Sequence, residues 1–264
     1  MMIPKIIHYC WFGRGEMPKI IKKCMKSWKK YCPDWQIVRW DEDSFDINST
    51  LWTKQAYEAK KYAFVADYVR LKALSEMGGV YMDTDQELIK PLDPFMDKEM
   101  FVGFMSDINI SAGVIGSEPK HSVVMQMLDY YRNRSFVKEN GEVDLKPNTK
   151  WMTDIMVERG LVINDEYQVL DGVHVYPRTY FCPTSCVSIE DYRSKDTVSL
   201  HHWAMTWRPE KEKKHFKKIK RHQRKWYKAA VWLRYLPNRA VRKVFGDKNI
   251  DALKNKIRKG ENCD

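Results

Sequence analysis

A helix end, a short strand and two carboxylates follow one another in Gly78-Gly79-Val80-Tyr81-Met82-Asp83-Thr84-Asp85. Paired glycines stop helices, and the three residues after them have strand composition. Asp83 and Asp85 would point to opposite faces of a straight strand, so both can serve one site only if the chain turns there. Carboxylate oxygens are the ligands that Mg²⁺ and Mn²⁺ prefer. The pattern predicts a divalent metal site, although two solvated turn aspartates would show the same spacing.

The N-terminal residues predict the start of a parallel sheet. Ile6 to Phe12 fits a buried strand, Pro18 suits a first helical position, and Gln36 to Trp40 fits a second strand. A strand, a helix and a strand in succession make a βαβ unit. Trp11 falls at the carboxyl end of the first strand, where open α/β sheets bind ligands, or it is a plain core aromatic. The predicted fold class is therefore α/β.

Two charged residues lie on the apolar face of a predicted helix. The helix spans Lys54 to Met77, and Asp67 and Arg70 share its buried face. Burying an unpaired ion costs several kcal/mol, so such charges are paired or face a cleft. They therefore either belong to the site or form a structural i,i+3 ion pair.

The remaining pattern predicts a series of short elements. Further strands are predicted at 86–92, 101–104, 168–170, 173–176 and 197–200, and further helices at 120–134 and about 153–159. Asn109 precedes small residues and another strand that ends at Gly116, and small residues there would admit a ligand.

Two histidines follow the last predicted strand. Two aspartates do not complete the coordination of a metal ion, and His201 or His202 could supply a further, nitrogen ligand. A structural role for these histidines is the alternative. Trp207 is interpreted as a platform for a sugar or base, or as packing at the junction to the following segment.

Composition sets limits on the class of protein. With 264 residues and 44% hydrophobic content, the chain can bury one sizeable core. It has no apolar run of about 18 residues and no signal-peptide pattern, so we expect neither a membrane-spanning nor a secreted protein. The six cysteines lack the paired spacing of a zinc site, and we expect reduced thiols.

The positive charge belongs to the C-terminal segment. Residues 208–264 carry 20 Lys and Arg against 6 Asp and Glu, whereas residues 1–207 carry 26 against 29. We predict a globular catalytic or binding domain at 1–207 and a basic, amphipathic helical segment at 208–264. Cations alternate there with Phe216, Ile219, Trp226 and Tyr227, which is typical of a helix on an anionic membrane surface. A solvated basic helix and nucleic-acid binding are the alternatives, and no nucleic-acid partner is predicted.

Four stretches together resemble glycosyltransferase family 32, a group of Asp-x-Asp sugar transferases related to the glucosyltransferase domain of clostridial toxins. The stretches are Ile6–Gly13, Ala63–Arg70, Gly78–Asp85 and His201–Trp207. The resemblance implies a GT-A fold, a Rossmann-like mixed sheet flanked by helices. It also implies retaining, metal-dependent transfer from a UDP-sugar to a glycan, in synthesis of bacterial capsule, O-antigen or exopolysaccharide.

The resemblance also implies roles for residues around the donor. Trp11 would stack on uracil, and Asp67 and Arg70 would hold sugar hydroxyls and the diphosphate. Tyr81 belongs to the same donor-binding set, and Asn109 would lie near the donor sugar.

The implied metal is Mn²⁺ or Mg²⁺. Asp85 would bind it directly, and Asp83 would contact the ribose or sugar and reach the metal through water. His201 or His202 would complete the shell; the toxins place a carboxylate about where His202 stands, so the third ligand is open. Trp207 would cover the diphosphate or sugar.

No general base stands out near the motif, which fits a retaining transfer in which the leaving phosphate accepts the proton. Asp154 is a candidate carboxylate on the acceptor side. We expect a lipid-linked oligosaccharide acceptor and a cytoplasmic protein held at the inner face of the plasma membrane by its C-terminal segment. An aspartate-based phosphotransferase and a non-catalytic membrane-binding module are the rival functions.

Overall fold

The computed structural model describes residues 2–106, 108–185, 188–205 and 210–235, with the side chains of the last range described at 211–225. These residues belong to two compact units, one of 2–185 and 190–205 and the other of 188–189 and 210–235. The domain boundary predicted after residue 207 lies outside the described residues and stays a prediction.

The first unit alternates strands and helices along the chain. Its strands are Ile6–Cys10 (β1), Gln36–Trp40 (β2), Gly79–Met82 (β3), Gln86–Leu88 (β4), Met100–Ser106 (β5), Asn109–Ser117 (β6), Gln168–Leu170 (β7), Val173–Tyr176 (β8) and Ser199–His201 (β9). Its α-helices are Lys19–Tyr31 (α1), Leu51–Glu58 (α2), Tyr62–Met77 (α3), Ser122–Asp129 (α4), Asn148–Glu158 (α5) and Arg178–Phe181 (α6).

Seven of the strands form one mixed sheet in the order β2-β1-β3-β6-β5-β8-β7, and β4 pairs with β9 in a separate two-stranded sheet. β1 runs parallel to both β2 and β3, whereas β3 and β6 are antiparallel. The predicted α/β class and the βαβ unit are confirmed. Because the chain passes from β2 over β1 to β3, the strand order reverses at β1. The carboxyl ends of β1 and β3 therefore flank the crevice where α/β sheets bind ligands.

Apolar side chains cover both faces of the sheet. On one side, Trp52, Phe64 and Leu74 belong to the layer of α2 to α5. On the other, Trp28 of α1 is fully buried and its indole Nε1 donates to the carbonyl of Gln86 at 2.8 Å. Burying a side chain of this size contributes about 1.5–3 kcal/mol, so α1 is firmly attached beside β4.

The helix predicted at 54–77 is wrong as a single element, because α2 ends at Glu58 and α3 begins at Tyr62. Lys60 adopts a left-handed conformation with φ 56°, and the Lys61 N–H donates to the Ala56 carbonyl at 2.8 Å. This is the geometry that usually ends a helix at a glycine. A lysine in that position gives no sequence signal.

Several other boundaries differ from the prediction. The helix predicted at 120–134 ends at Asp129, α5 begins at Asn148 instead of about 153, and the strand predicted at 86–92 ends at Leu88. The last strand is predicted at 197–200. It begins two residues later, at Ser199, and ends one residue later, at His201.

The second unit contains one long helix, Glu210–Tyr235 (α7). Trp226 and Tyr227 lie outside its described side chains, so the membrane role of this segment stays a prediction. Among the described residues, no helix is long and apolar enough to cross a membrane.

Candidate active site

The chain turns immediately after β3. The Gln86 N–H donates to the Asp83 carbonyl at 2.9 Å, and the Asp83 N–H donates to the Gly113 carbonyl of β6 at 2.8 Å. Gly78 provides the preceding turn at φ 63°, where an added Cβ would lie 2.7 Å from Pro119 Cδ. The turn after the strand is what brings Asp83 and Asp85 to one side.

Asp83, Asp85 and His201 form a cluster in which one ligand atom from each lies within 4.8 Å of the others. β9 pairs with β4, with Gln86 opposite His201, and this register carries the imidazole to the turn. His201 Nε2 lies 3.2 Å from Asp85 Oδ1, and the Ala204 N–H donates to Asp85 Oδ2 at 2.7 Å.

Burial and charge oppose each other at this pair. Burial alone would raise the pKa of Asp85, but the charge of His201 and hydrogen bonds from His201 and the Ala204 N–H lower that pKa to about 2. Burial alone would lower the pKa of His201, but the Asp85 carboxylate raises it well above its usual value. The two groups therefore form a buried ion pair, and a metal bound through His201 Nε2 would replace the proton of that nitrogen.

The cluster fits a divalent cation. Two carboxylates and an imidazole are a donor set that Mn²⁺ accepts. Two polar atoms at the site, His201 Nδ1 and Gln86 Nε2, are buried without a hydrogen-bond partner in the part of the chain that the structure describes. Neither atom is a metal donor here, since Gln86 Nε2 carries hydrogens and it is Nε2 of His201 that faces Asp85, so the fit rests on the two carboxylates and the imidazole.

Arg70 joins both parts of the site. Its Nη2 lies 3.0 Å from Asp67 Oδ1 and 3.4 Å from Asp83 Oδ1, and its Nη1 donates to the Ala112 carbonyl at 2.6 Å. The guanidinium lies over the Tyr81 ring, 4.4 Å from the centroid, and the Tyr81 hydroxyl donates to Asp83 Oδ1 at 3.0 Å. The predicted i,i+3 pair is therefore present and lies against the acidic turn, and its role in donor binding stays a prediction.

The surroundings of Arg70 keep it charged. Burial would lower the pKa of its guanidinium, but Tyr81, Asp83 and Asp67 raise that pKa. Burial raises the pKa of Asp67, with Arg70 opposing, and raises the pKa of Tyr81 well above its usual value. A cation fixed beside the acidic turn can attract an anionic ligand.

Asn148, which sequence reasoning missed, holds Asp67 from the opposite side. Its N–H donates to Asp67 Oδ2 at 3.3 Å and its Nδ2 donates to the Asp67 carbonyl at 2.6 Å. The Tyr131 hydroxyl donates to Asn148 Oδ1 at 2.5 Å. The available signal was Pro147-Asn148 at the start of α5, but nothing local connects it to a residue 81 positions earlier.

Gly113 permits close approach at the turn. A Cβ at this position would lie 2.8 Å from Gln86 Nε2 and 3.1 Å from Asp83 Oδ2. The sequence predicts that small residues in this strand admit a ligand. At Gly113 the space is needed for the side chains of Asp83 and Gln86, which belong to the acidic turn and the strand after it.

Other predicted donor residues lie at the same edge of the sheet. Trp11 follows β1, is partly buried, and donates from Nε1 to the Gly15 carbonyl at 2.7 Å. Asn109 opens β6 and lies three residues before Ala112, about 10 Å along the strand. Trp207 lies outside the described residues, and its role stays a prediction.

The structure separates two predicted residues from the cluster. His202 Nε2 lies 2.6 Å from Glu87 Oε2, and Lys23 Nζ contacts the same oxygen at 2.7 Å. Asp154 pairs with Lys150 at 2.6 Å and Lys146 at 3.1 Å, and these hydrogen bonds lower its pKa. Of the two histidines, it is His201 that reaches the aspartates.

A second aromatic residue lies at the cluster. The Trp203 ring stacks on His201, with centroids 3.9 Å apart and planes at 17°, and its Nε1 donates to the Thr184 carbonyl at 3.0 Å. The sequence alone does not distinguish Trp203 from a packing residue, since only the pairing of β9 with β4 brings it to the cluster. Its φ of 54° turns the chain just after β9.

A parallel βαβ unit with an acidic cluster at the carboxyl end of a central strand is the place where α/β proteins typically bind ligands. Residues 18–102 match the model of the glycosyltransferase sugar-binding region containing the DXD motif. Over these residues, about a third of the chain, the sequence is similar to the DXD glycosyltransferases, the class that the resemblance to family 32 implied. The mixed sheet flanked by helices is the arrangement predicted for a GT-A fold.

Two curated relatives illustrate the match. Mannosyl phosphorylinositol ceramide synthase of Saccharomyces cerevisiae is 30% identical over 131 residues, covering 48% of this chain and 34% of that protein. An uncharacterized glycosyltransferase of Acanthamoeba polyphaga mimivirus is 27% identical over 224 residues, covering 79% and 85%. The chain thus spans about a third of the yeast relative's length and most of the viral one's.

A solved structure also aligns with the fold. It is a glycosyltransferase involved in glycosylation of the major capsid of PBCV-1, with TM-score 0.43 and 13% identity, covering 82% of this chain and 100% of that one.

Proposed function

We propose that this protein is a metal-dependent glycosyltransferase that moves a sugar from a nucleotide-sugar donor to an acceptor hydroxyl. The observation that carries the proposal is the Asp83, Asp85 and His201 cluster beside Arg70, at the β1/β3 crevice of a chain whose residues 18–102 match the DXD glycosyltransferase model. We propose Mn²⁺ or Mg²⁺ as the ion and a UDP-sugar as the first donor to test.

The acidic cluster and the buried arginine have different proposed roles in donor binding. Asp83, Asp85 and His201 would hold the cation, which when bound supplies positive charge to the diphosphate of the donor. Arg70 is a fixed, buried cation next to them and would bind phosphate or sugar oxygens without rearranging. Asp67 and Asn148 keep its guanidinium in place.

The same contacts support retention of configuration. Asp67 is engaged by Arg70 and Asn148, Asp83 by Arg70 and Tyr81, and Asp85 by His201. With their oxygens occupied in this way, these carboxylates are poorly placed to accept the acceptor's proton, and the pKa of Asp85 is lowered as well. This supports a transfer in which a donor phosphate oxygen accepts the acceptor's proton.

The acceptor is proposed from the relatives. The yeast relative's name describes the synthesis of a mannosyl phosphorylinositol ceramide. We therefore propose that the acceptor hydroxyl belongs to the polar headgroup of a lipid. The relatives described above are fungal and viral, and a role in bacterial surface polysaccharide stays a prediction.

A donor scan tests the proposal. Purified protein is incubated with UDP-glucose, UDP-galactose, UDP-N-acetylglucosamine and GDP-mannose, with Mn²⁺ or with chelator, and released nucleotide is measured by chromatography. We expect metal-dependent release from one donor, with the α-anomer as the first sugar product by NMR. No release from any donor, together with no metal-dependent nucleotide binding by calorimetry, would contradict the proposal.

A further inference from the structure

One face of α1 consists of lysines. The helix carries Lys19, Lys22, Lys23, Lys26, Lys29 and Lys30, all exposed. At about 100° per residue, all six fall within an arc of about 120°. The buried residues Ile21, Cys24 and Trp28 lie on the opposite side, so the helix is firmly anchored with its cations outward. We refer to these six residues as the lysine face.

Most of this charge is not neutralised within the protein. Lys22 pairs with Glu16 at 2.9 Å and Lys23 with Glu87 at 2.7 Å. In the described part of the chain, the other four lysines have no carboxylate within ion-pair distance. Neighbouring lysines three and four positions apart repel each other, so this pattern works against helix stability. A pattern that the fold itself does not favour points to a partner outside the fold.

The lysine face also stands out against the rest of its unit. Residues 1–207 carry 26 Lys and Arg against 29 Asp and Glu, and residues 19–31 contribute six of these cations and none of the anions. The remainder is therefore net negative by nine charges. Within residues 1–207, an anionic surface would attract α1 and repel the remainder, which favours one orientation of this part of the chain.

The lysine face borders the candidate active site. Lys23 contacts Glu87 of β4, whose carboxylate also contacts His202, and Trp28 bonds the Gln86 carbonyl. β4 begins one residue after Asp85. A surface held by α1 would therefore lie beside the edge of the molecule that carries the acidic turn.

We propose that the lysine face of α1 docks on an anionic phospholipid surface. Lysine ammonium groups are point charges on flexible stems, which suit the diffuse phosphates and carboxylates of lipid headgroups. Sequence-specific recognition of nucleic acid uses side chains that bond base edges in pairs and aromatic rings that stack on bases, and the lysine face contains no arginine and no aromatic residue. Lysine contacts to nucleic-acid phosphates would be sequence-independent, and the DNA arm of the test below separates them from lipid binding. The interaction is independent of donor, metal and catalysis.

Vesicle sedimentation of the full chain tests the proposal, with vesicles of phosphatidylcholine alone or with added phosphatidylserine. The test variant is the quadruple change Lys19→Gln, Lys26→Gln, Lys29→Gln and Lys30→Gln. The control removes the same charge from exposed lysines elsewhere in the unit, with Lys54→Gln, Lys60→Gln, Lys138→Gln and Lys195→Gln. Glutamine keeps the helix propensity of lysine, and thermal unfolding confirms that both variants are folded.

Each lysine near an anionic surface contributes about tenfold or less in affinity, so we expect the test variant to bind phosphatidylserine vesicles about 100-fold more weakly. The control should change severalfold at most, and a Lys→Arg version of the test variant should bind like the wild type. Equal loss in test and control, no loss in the test variant, or no binding by the wild type would overturn the proposal. Loss of duplex DNA binding with unchanged vesicle binding would overturn it in favour of nucleic acid.

Discussion

Arg70 Nη2 lies 3.4 Å from Asp83 Oδ1, although one residue belongs to a helix and the other to the turn after the following strand. The Tyr81 hydroxyl donates a hydrogen bond to the same oxygen at 3.0 Å, whereas Asp83 Oδ2 is directed towards Gly113. Asp83 Oδ1 therefore has two protein partners, Arg70 and Tyr81, whereas Asp83 Oδ2 lies close to Gly113.

Breaking this buried pair should be costly. The Arg70→Gln variant leaves Asp67 without its cation, and removing one partner of a buried ion pair costs about 3–5 kcal/mol. We expect a loss of this size in the free energy of unfolding measured with urea. The control Arg132→Gln breaks an exposed i,i+3 pair with Asp129 and should cost at most about 1 kcal/mol. Equal losses would contradict the shared role of Arg70.

The two histidines should differ in metal binding. Because His201 lies in the cluster and His202 contacts Glu87, His201→Gln should weaken Mn²⁺ binding by more than about tenfold. His202→Gln serves as the control and should bind Mn²⁺ like the wild type. Calorimetric titration measures both, and the reverse order would show that the ligand set is wrong.

Asn148 should position Asp67 without touching the donor. In Asn148→Ala the Asp67 carbonyl and the Tyr131 hydroxyl lose their partner, and each buried group left unsatisfied costs about 1–3 kcal/mol. We expect lower stability together with a lower kcat, since Arg70 is then less firmly held. Asn140→Ala, in an exposed loop, is the control. Unchanged kcat in a destabilised Asn148→Ala variant would limit Asn148 to a structural role.

Gly113 should be intolerant of even one methyl group. In Gly113→Ala the new Cβ would press on Gln86 Nε2 and Asp83 Oδ2, and overpacking typically costs about 1–3 kcal/mol. We expect lower stability and weaker Mn²⁺ binding. Gly15→Ala is the matched control, since nothing lies within 4 Å of an added Cβ there. Metal affinity equal to that of the control would place Gly113 outside the site.

Sequence reasoning succeeded where the signal is local. The βαβ unit, the turn at Asp83 and the Asp67/Arg70 pair follow from hydrophobic periodicity and from spacing along one element. It failed where the determinant is long-range or conformational. The contact of Asn148 with Asp67 spans 81 residues, and the break between α2 and α3 depends on a left-handed Lys60.

The choice between the two histidines shows the same limit. Adjacent residues in a strand point to opposite faces, so only the register of β9 on β4 decides which imidazole reaches the aspartates. That register is set by pairing between segments more than a hundred residues apart in the chain, such as Gln86 with His201.

The central claim is that the Asp83/Asp85 turn binds a metal needed for sugar transfer, and Asp85→Asn tests it most directly. Asparagine keeps the shape of the side chain but removes its charge. Metal-dependent release of nucleotide from the preferred donor should fall by at least about 100-fold, while Asp129→Asn, an exposed carboxylate, should match the wild type. Full activity in a folded Asp85→Asn variant would contradict the account.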